Sequence, residues 1–295
     1  MKAIIIYFSP TGNTRFVANT ILKEFQKNEI LTQLVDVTKN EILFNEKNPE
    51  KFLSESIPKH DILMIGSPVY AHHVQYHVMD LIKKLPRPNK EKWGKIAIPF
   101  VTYGGIDSGI ALEEAEKYLK KSGRTVIGGL KFSASHNMTR VFMDVEFNKG
   151  KPNDEILPII EELVETIKQI DLKSPATSKS KLLQYQSRKA ALIAKIILNE
   201  KKFHEKRYPN PVISLDKCVH CGKCVSACPV VHWKSESEKI IGNPDNNCIH
   251  CYNCIHVCIS DAITLTGNLE KGREFMQNMI EEKGNKESPA NFFYR

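Results

Sequence analysis

Along the first 170 residues, short runs of β-branched and aliphatic residues alternate with longer segments whose apolar positions recur every three or four residues. The runs at 2–8 (KAIIIYF), 31–37 (LTQLVDV), 61–66 (DILMIG), 95–101 (KIAIPFV) and 124–132 (RTVIGGLKF) predict five strands. They are apolar almost throughout, as strands are when both faces of a parallel sheet are covered. Between them, Val17, Ile21, Leu22 and Phe25 fall on one helical face, as do Ala111, Leu112, Ala115 and Leu119. A last helix carries Ile156, Ile159, Ile160, Leu163, Val164, Ile167 and Ile170. These stripes read as core, and the alternation defines an α/β domain with helices on both faces of the sheet.

The pattern breaks after Asp171, where LKSPATSKSK reads as a linker, followed from about 181 to 206 by a basic helix that YPNP at 208–211 ends. The chain is therefore divided into an α/β domain (1–172), a basic linker with a helix (173–207), a cysteine-rich unit (208–268), and a C-terminal helix with a loose tail (269–295). Charge follows the same division: of the net +8, residues 171–207 hold +7, with ten Lys and Arg against three Asp and Glu.

All eight cysteines lie between Cys218 and Cys258 in two runs of C-x2-C-x2-C-x3-C. Such clustering argues against a secreted disulfide framework and for a metal or cluster site in a reducing compartment. The N-terminus lacks a cleavage site, no segment approaches a membrane span, and a cytoplasmic location is expected. Structural zinc fits poorly, since zinc gathers cysteine pairs across a longer loop. With the cysteine sets complete, His220, His250 and His256 read as surface or supporting residues rather than ligands.

The runs Cys218, Cys221, Cys224, Cys228 and Cys248, Cys251, Cys254, Cys258 resemble those of bacterial two-cluster ferredoxins, with short flanking strands at 211–215 and 262–266. In that spacing the fourth cysteine serves the opposite cluster. The resemblance thus implies two [4Fe–4S] clusters, one held by Cys218, Cys221, Cys224 and Cys258, the other by Cys248, Cys251, Cys254 and Cys228. Ile259 replaces the proline that usually follows the fourth cysteine, and bulky Val231, His232 and Trp233 stand where small residues are usual; both bear on cluster packing and solvent access.

The segment SPTGNT at 9–14 follows the first strand and opens a helix, where backbone N–H groups and the helix dipole favour an anion. It is not a Walker loop, and no G-x-G-x-x-G fingerprint occurs in the chain. Ser9, Thr11, Gly12, Asn13 and Thr14 resemble the phosphate loop of flavodoxins. GSPVYAHH (66–73) and TYGGIDSG (102–109) follow strands at their carboxyl ends, where doubly wound sheets gather ligand loops. These resemble the loops that sandwich the flavin ring, which implies that Ser67, Pro68, Val69, Tyr70 and Ala71 line one side and Thr102, Tyr103, Gly104 and Gly105 the other. His72, His73 and His77 read as exposed.

Together these features resemble flavodoxin–ferredoxin fusion proteins of anaerobic bacteria and archaea. The resemblance implies a flavodoxin-like doubly wound five-stranded parallel sheet of order 2-1-3-4-5, joined to a small α+β dicluster ferredoxin-like domain. The implied cofactors are FMN and two [4Fe–4S] clusters, and the implied function is electron transfer between FMN, the clusters and protein redox partners. The alternative is an FMN-dependent reductase of a quinone, nitro compound or NAD(P), with the clusters as relay. No catalytic residue is assigned, and a carrier or oxidoreductase component is favoured over a self-contained enzyme. The basic segment (Lys179, Lys181, Arg188, Lys189, Lys195, Lys201, Lys202, Lys206, Arg207) is a candidate for docking an acidic partner or an anionic membrane surface. Nucleic acid is not expected, because aromatic interleaving is missing. The plainer expectation is a solvated helix packing Leu182, Leu192, Ile193 and Ile196 against one domain. The oligomeric state is open, a homodimer among the candidates.

Overall fold

The computed structural model describes residues 1–143, 145–172, 188–197, 200–243, 248–267 and 269–295. The first domain runs β1 (Lys2–Tyr7), α1 (Asn13–Lys27), β2 (Leu31–Asp36), α2 (Glu41–Phe44), α3 (Pro49–Ser56), β3 (Ile62–Tyr70), β4 (His73–Val74), α4 (Tyr76–Lys83), β5 (Ile96–Tyr103), α5 (Ala111–Lys121), β6 (Thr125–Val126), β7 (Gly129–Ser133), α6 (Asn137–Phe142) and α7 (Leu157–Lys168). After it come α8 (Arg188–Ile197) and α9 (Glu200–Arg207), then β8 (Pro211–Ile213), α10 (Lys223–Ala227), β9 (Trp233–Glu236), β10 (Lys239–Gly242), α11 (Asn253–Val257) and β11 (Ile263–Leu265). Helix α12 (Leu269–Lys283) and β12 (Phe292–Tyr294) close the chain.

Strands β2, β1, β3, β5 and β7 lie side by side and parallel, which is the expected 2-1-3-4-5 order. Helices α1 and α7 cover one face, burying Val17, Ile21, Phe25, Ile160 and Leu163 against Ile5, Met64 and Ile98. On the other face the apolar cluster around Ile4, Leu63, Leu81 and Leu112 continues without interruption into Cys224, Trp233 and Ile263 of the cysteine-rich unit. That unit is an α+β fold in which β8 pairs antiparallel with β11, and β9 with β10. Among the described residues no helix is long and apolar enough to cross a membrane.

Three expectations are corrected. The C-terminal tail is not loose: Phe292–Tyr294 pairs antiparallel with Gly129–Lys131, adding a sixth strand at the sheet edge. The short segment borrows its order from the open edge of β7, whose backbone groups it satisfies. Two of the residues expected to pack do not: Leu192 and Ile193 are exposed, while Ala194 is buried; the side chain of Ile196 lies outside the described residues. Lys179, Lys181 and Leu182 lie outside the described residues, as does the start of the expected helix. The histidines after the second loop are half-buried rather than exposed, because β3 and β4 form a hairpin turning at Ala71 and His72, both left-handed (φ 45° and 73°). His72 Nδ1 sits 3.4 Å from Asp107, and His73 Nδ1 bonds Glu114 at 3.0 Å.

Candidate functional site

A cavity of about 140 Å³ opens at the carboxyl ends of β1, β3 and β5. It is lined by Thr11 and Asn13 from the first loop, Pro68 to Ala71 from the second, and Thr102, Tyr103 and Gly104 from the third. Doubly wound folds bind ligands at this crevice. Ser9, Gly12, Thr14, Ser67 and Gly105 are not among the lining residues, and several of them brace the loops from behind. The Ser9 hydroxyl accepts from the Arg15 N–H at 2.9 Å, and the Thr14 and Thr102 hydroxyls bond each other at 2.9 Å. Ser67 accepts from the Gln75 N–H at 3.0 Å and donates to the Pro68 carbonyl. Helix α1 starts after Gly12 with no side-chain cap bond and no acidic residue in its first turn, which leaves its positive end suited to a phosphate.

A fourth loop, outside the three that the sequence motifs single out, completes the cavity: Ala134, Ser135, His136, Asn137 and Met138, after β7. It follows the fifth strand as the other loops follow theirs, and the same positional rule identifies it. Asn13 Nδ2 donates to the Ser135 carbonyl at 3.1 Å, tying first loop to fourth. Gly104 lets the third loop approach the fourth, because a Cβ there would stand 2.3 Å from the His136 ring. Burial pushes His136 down to about 4, so its imidazole is neutral, and its buried Nδ1 has no hydrogen-bond partner among the described residues. Tyr103 is held from behind by its hydroxyl, which donates to the Ala290 carbonyl at 3.0 Å. Burial, then the charge of Glu287, raises its pKa and keeps the phenol neutral.

The remaining walls belong to the other domain: Tyr208 and Cys251 line the same cavity as the four loops. Burial raises the Tyr70 phenol well above its ordinary range, and the charges of Cys251, Glu200 and Cys248 add to the effect. The cysteine-rich unit is hydrogen-bonded directly onto the loops. Asn137 Nδ2 donates to the Cys251 carbonyl at 2.5 Å, Asn253 Nδ2 donates to the Pro10 carbonyl, and the Lys39 N–H donates to the Pro229 carbonyl at 2.8 Å. Behind them Tyr252 is buried against Phe142, ring centres 5.8 Å apart, with Ile106 and Met276.

The cysteines fall into two groups. Cys218, Cys221, Cys224 and Cys258 line one small cavity with Gly222, Ile240 and Ile263. Gly222 is left-handed (φ 69°), and a Cβ there would meet nothing within 4 Å, so open space stands above it. Cys228 lies close enough to act electrostatically on Cys248, Cys251 and Cys254. Among the described residues no group of three or more His, Cys, Asp or Glu is arranged for a single metal ion. Burial raises Cys248 to about 12 and Cys254 to about 11, and Cys251 well above its usual range. Such thiols keep their protons until a metal displaces them. Backbone N–H donors sit on the fourth cysteine of each run: His232 on Cys228 at 3.1 Å and Ala262 on Cys258 at 3.2 Å. At Cys258 burial opposes ionisation, but donors from Ser260, Ile263 and Ala262 outweigh it and lower the pKa. An all-cysteine donor set with N–H···S bonds around a hollow fits an iron–sulfur cluster.

Comparison with known proteins agrees with this division. The family model for a 4Fe-4S dicluster domain matches residues 210–273, and that for NADPH-dependent FMN reductase matches residues 1–139. A ferredoxin of Methanothermococcus thermolithotrophicus is 36% identical over 55 residues, which are 18% of this chain and 92% of that protein. Among solved structures, a flavodoxin from the domain Archaea is 20% identical, covering 59% of this chain and all of its own, with a TM-score of 0.39. The apo form of the NADH:FMN oxidoreductase EmoB is 16% identical, covering 61% of this chain and 92% of its own, with a TM-score of 0.42.

Fold and site define a protein of electron transfer and oxidoreduction that carries FMN and two [4Fe–4S] clusters. The chain belongs to the ferredoxins through its dicluster domain, which it joins to a flavodoxin-like FMN domain, the arrangement of a flavodoxin–ferredoxin fusion. A ferredoxin-type domain implies redox protein partners in general.

Proposed function

We propose that the chain conducts electrons within itself, between FMN in the four-loop cavity and the clusters, and exchanges them with a protein partner at the far cluster. The observation that carries this reading is that Cys251 lines the flavin cavity. In this reading Cys248, Cys251, Cys254 and Cys228 hold the flavin-side cluster, and Cys218, Cys221, Cys224 and Cys258 the outer one. Thr11, Asn13 and the start of α1 hold the phosphate, while Pro68 to Ala71 and Thr102 to Gly104 hold the ring, with Ser9, Gly12, Thr14, Ser67 and Gly105 shaping those loops.

FMN exchanges electrons in pairs or singly and a [4Fe–4S] cluster passes one, so the pair converts between two-electron and one-electron chemistry; the protein supplies placement and tuning. Tyr70, Tyr208 and Cys251 exclude water between the two cofactor sites. Neutral His136 and the neutral Tyr103 phenol add no fixed charge to the ring pocket. At the other end Cys221 is exposed, and Val219 and Ile259 flank the outer cavity at 58% and 62% exposure, which presents this cluster to a partner.

The dicluster unit also stands over the cavity that a small hydride donor would enter, which favours a carrier over a free-standing reductase. Anaerobic purification with assay of flavin, iron and sulfide, followed by reductive titration with and without NADH or NADPH, tests both readings. The expected result is one FMN with eight iron and eight sulfide per chain and no bleaching by nicotinamide. Rapid bleaching by NADH or NADPH would establish the reductase reading instead, and zinc in place of iron would overturn both.

A further inference from the structure

Two asparagines connect the flavin loops to the loop of one cysteine run. Asn137 lines the flavin cavity, and its Nδ2 donates to the Cys251 carbonyl at 2.5 Å and lies 3.4 Å from Asn253 Oδ1. Asn253 in turn donates through Nδ2 to the carbonyl of Pro10, another wall of the cavity. Asn253 sits between Cys251 and Cys254 at the start of α11, and its backbone N–H bonds the Cys251 sulfur. Any ligand that fixes Pro10 and Asn137 therefore fixes the loop that must close around the flavin-side cluster.

Among the described residues the other run meets the α/β domain elsewhere: the Lys39 N–H donates to the Pro229 carbonyl, and neither residue lines the flavin cavity. In that run the counterpart to Asn253 is Lys223, the first residue of α10, which is exposed. The contrast is built into an otherwise repeated backbone: His220 and His250, Gly222 and Tyr252, and Val231 and Asp261 are left-handed at matching positions.

We propose that Asn137 and Asn253 form a clasp that couples FMN binding to assembly of the flavin-side cluster, each cofactor tightening the hold on the other. The clasp rests on the cofactor placement proposed above. Ordering a loop once serves both ligands, so the second to bind meets a smaller entropic cost. Linkage makes the effect reciprocal, and couplings of this kind typically change affinity about 5- to 150-fold. The outer cluster, without a clasp, is indifferent to FMN.

The test uses the full chain, reconstituted without oxygen to eight irons, with FMN present or removed, and follows iron loss to an iron(II) chelator. FMN is expected to slow the loss of about half the iron by roughly tenfold or more, leaving the other half unchanged. In Asn253→Ala both halves are expected to leave at FMN-independent rates, and FMN to bind more weakly. Asn253→Asp, which keeps a side chain favourable at a helix start but removes the donor to Pro10, is expected to behave alike. Protection of all the iron, protection of none, or protection that survives in both variants overturns the clasp while leaving the cofactor placement intact. A chain that takes up neither FMN nor iron overturns that placement, and the clasp with it.

Discussion

Tyr252 occupies in the second cysteine run the backbone position that Gly222 occupies in the first, and both are left-handed, at φ 59° and 69°. Glycine adopts this conformation without strain, whereas tyrosine does not. Gly222 borders open space, but the Tyr252 ring is buried between the domains and its hydroxyl donates to the Pro209 carbonyl at 2.9 Å. Tyr252 therefore exchanges a relaxed backbone for an anchor between the domains. Removing the ring in Tyr252→Gly costs about 3–5 kcal/mol of burial and returns roughly 1 kcal/mol or more of strain. A lower Tm for the cofactor-loaded chain is expected, with Tyr252→Phe losing only about 1 kcal/mol for its hydrogen bond. Thermal unfolding followed by near-UV circular dichroism checks both.

The C-terminal strap braces the third loop of the cavity through Glu287. Its carboxylate accepts from the Ser108 N–H at 2.7 Å, from the Ser108 hydroxyl and from Lys131, which is 1% exposed. Nearby, Asn285 N–H donates to the Gly105 carbonyl at 2.7 Å, and Lys283 pairs with Asp107 at 2.9 Å. Breaking a buried ion pair from one side costs about 3–5 kcal/mol. Glu287→Ala is expected to lower stability by that order and to weaken FMN binding, because the loop from Gly104 to Gly109 loses its brace. Fluorescence titration of FMN against wild type and variant reads the effect, and unchanged affinity would remove the strap from the flavin site.

The division of the cysteines is open to a single substitution. In the proposed ligand sets Cys228, although it lies in the first run, is the fourth ligand of the flavin-side cluster, and Cys228→Ser removes it. Loss of about half the iron and of FMN-to-cluster transfer is expected, while the outer cluster survives. Loss of the Cys218, Cys221, Cys224 cluster instead would show that each run holds its own cluster.

The pH dependence follows from His136, which burial depresses from 6.5 to about 4. Its contribution to stability is present above the unfolded value of 6.5. As pH falls, the unfolded chain takes a proton that the folded chain refuses, so stability declines until about 4 and is unaffected by this group below that. His136→Gln is expected to reduce the slope by about one proton between pH 6.5 and 4, or about 1.4 kcal/mol per pH unit. Chemical denaturation of the cofactor-free chain across this range gives the slope.

The five parallel strands and both cysteine runs were legible because each depends on local spacing: continuous apolar runs in one case, four thiols within eleven residues in the other. What escaped depends on partners distant in sequence. Phe292–Tyr294 is too short to show a period, and it becomes a strand only because β7 offers an edge. The hairpins turning at Ala71–His72 and Ser237–Glu238 place left-handed residues where neither Gly nor Asn announces them. Thr11, Tyr70 and Tyr103 sit on loops that follow recognisable strands, and they line one cavity. The hydroxyls of Ser9, Thr14 and Ser67, on the same loops, bond to the protein instead. His136 and Asn137 line the cavity too, on a loop that obeys the same rule but carries no comparable motif. The resemblance of its run to ferredoxins marks Cys251 as a ligand, and nothing in the spacing shows that it walls the cavity of the other domain.

Electron transfer between the cofactors within one chain is tested most directly by its kinetics. A light pulse that reduces FMN in the oxidised, fully loaded chain, with a photoexcited deazaflavin and EDTA as sacrificial electron donor, should be followed by flavin reoxidation matched by cluster bleaching, at a rate independent of protein concentration, as placement of Cys251 against the flavin cavity requires. A rate that rises in proportion to protein concentration would mean that electrons pass between chains, and would contradict transfer within one chain.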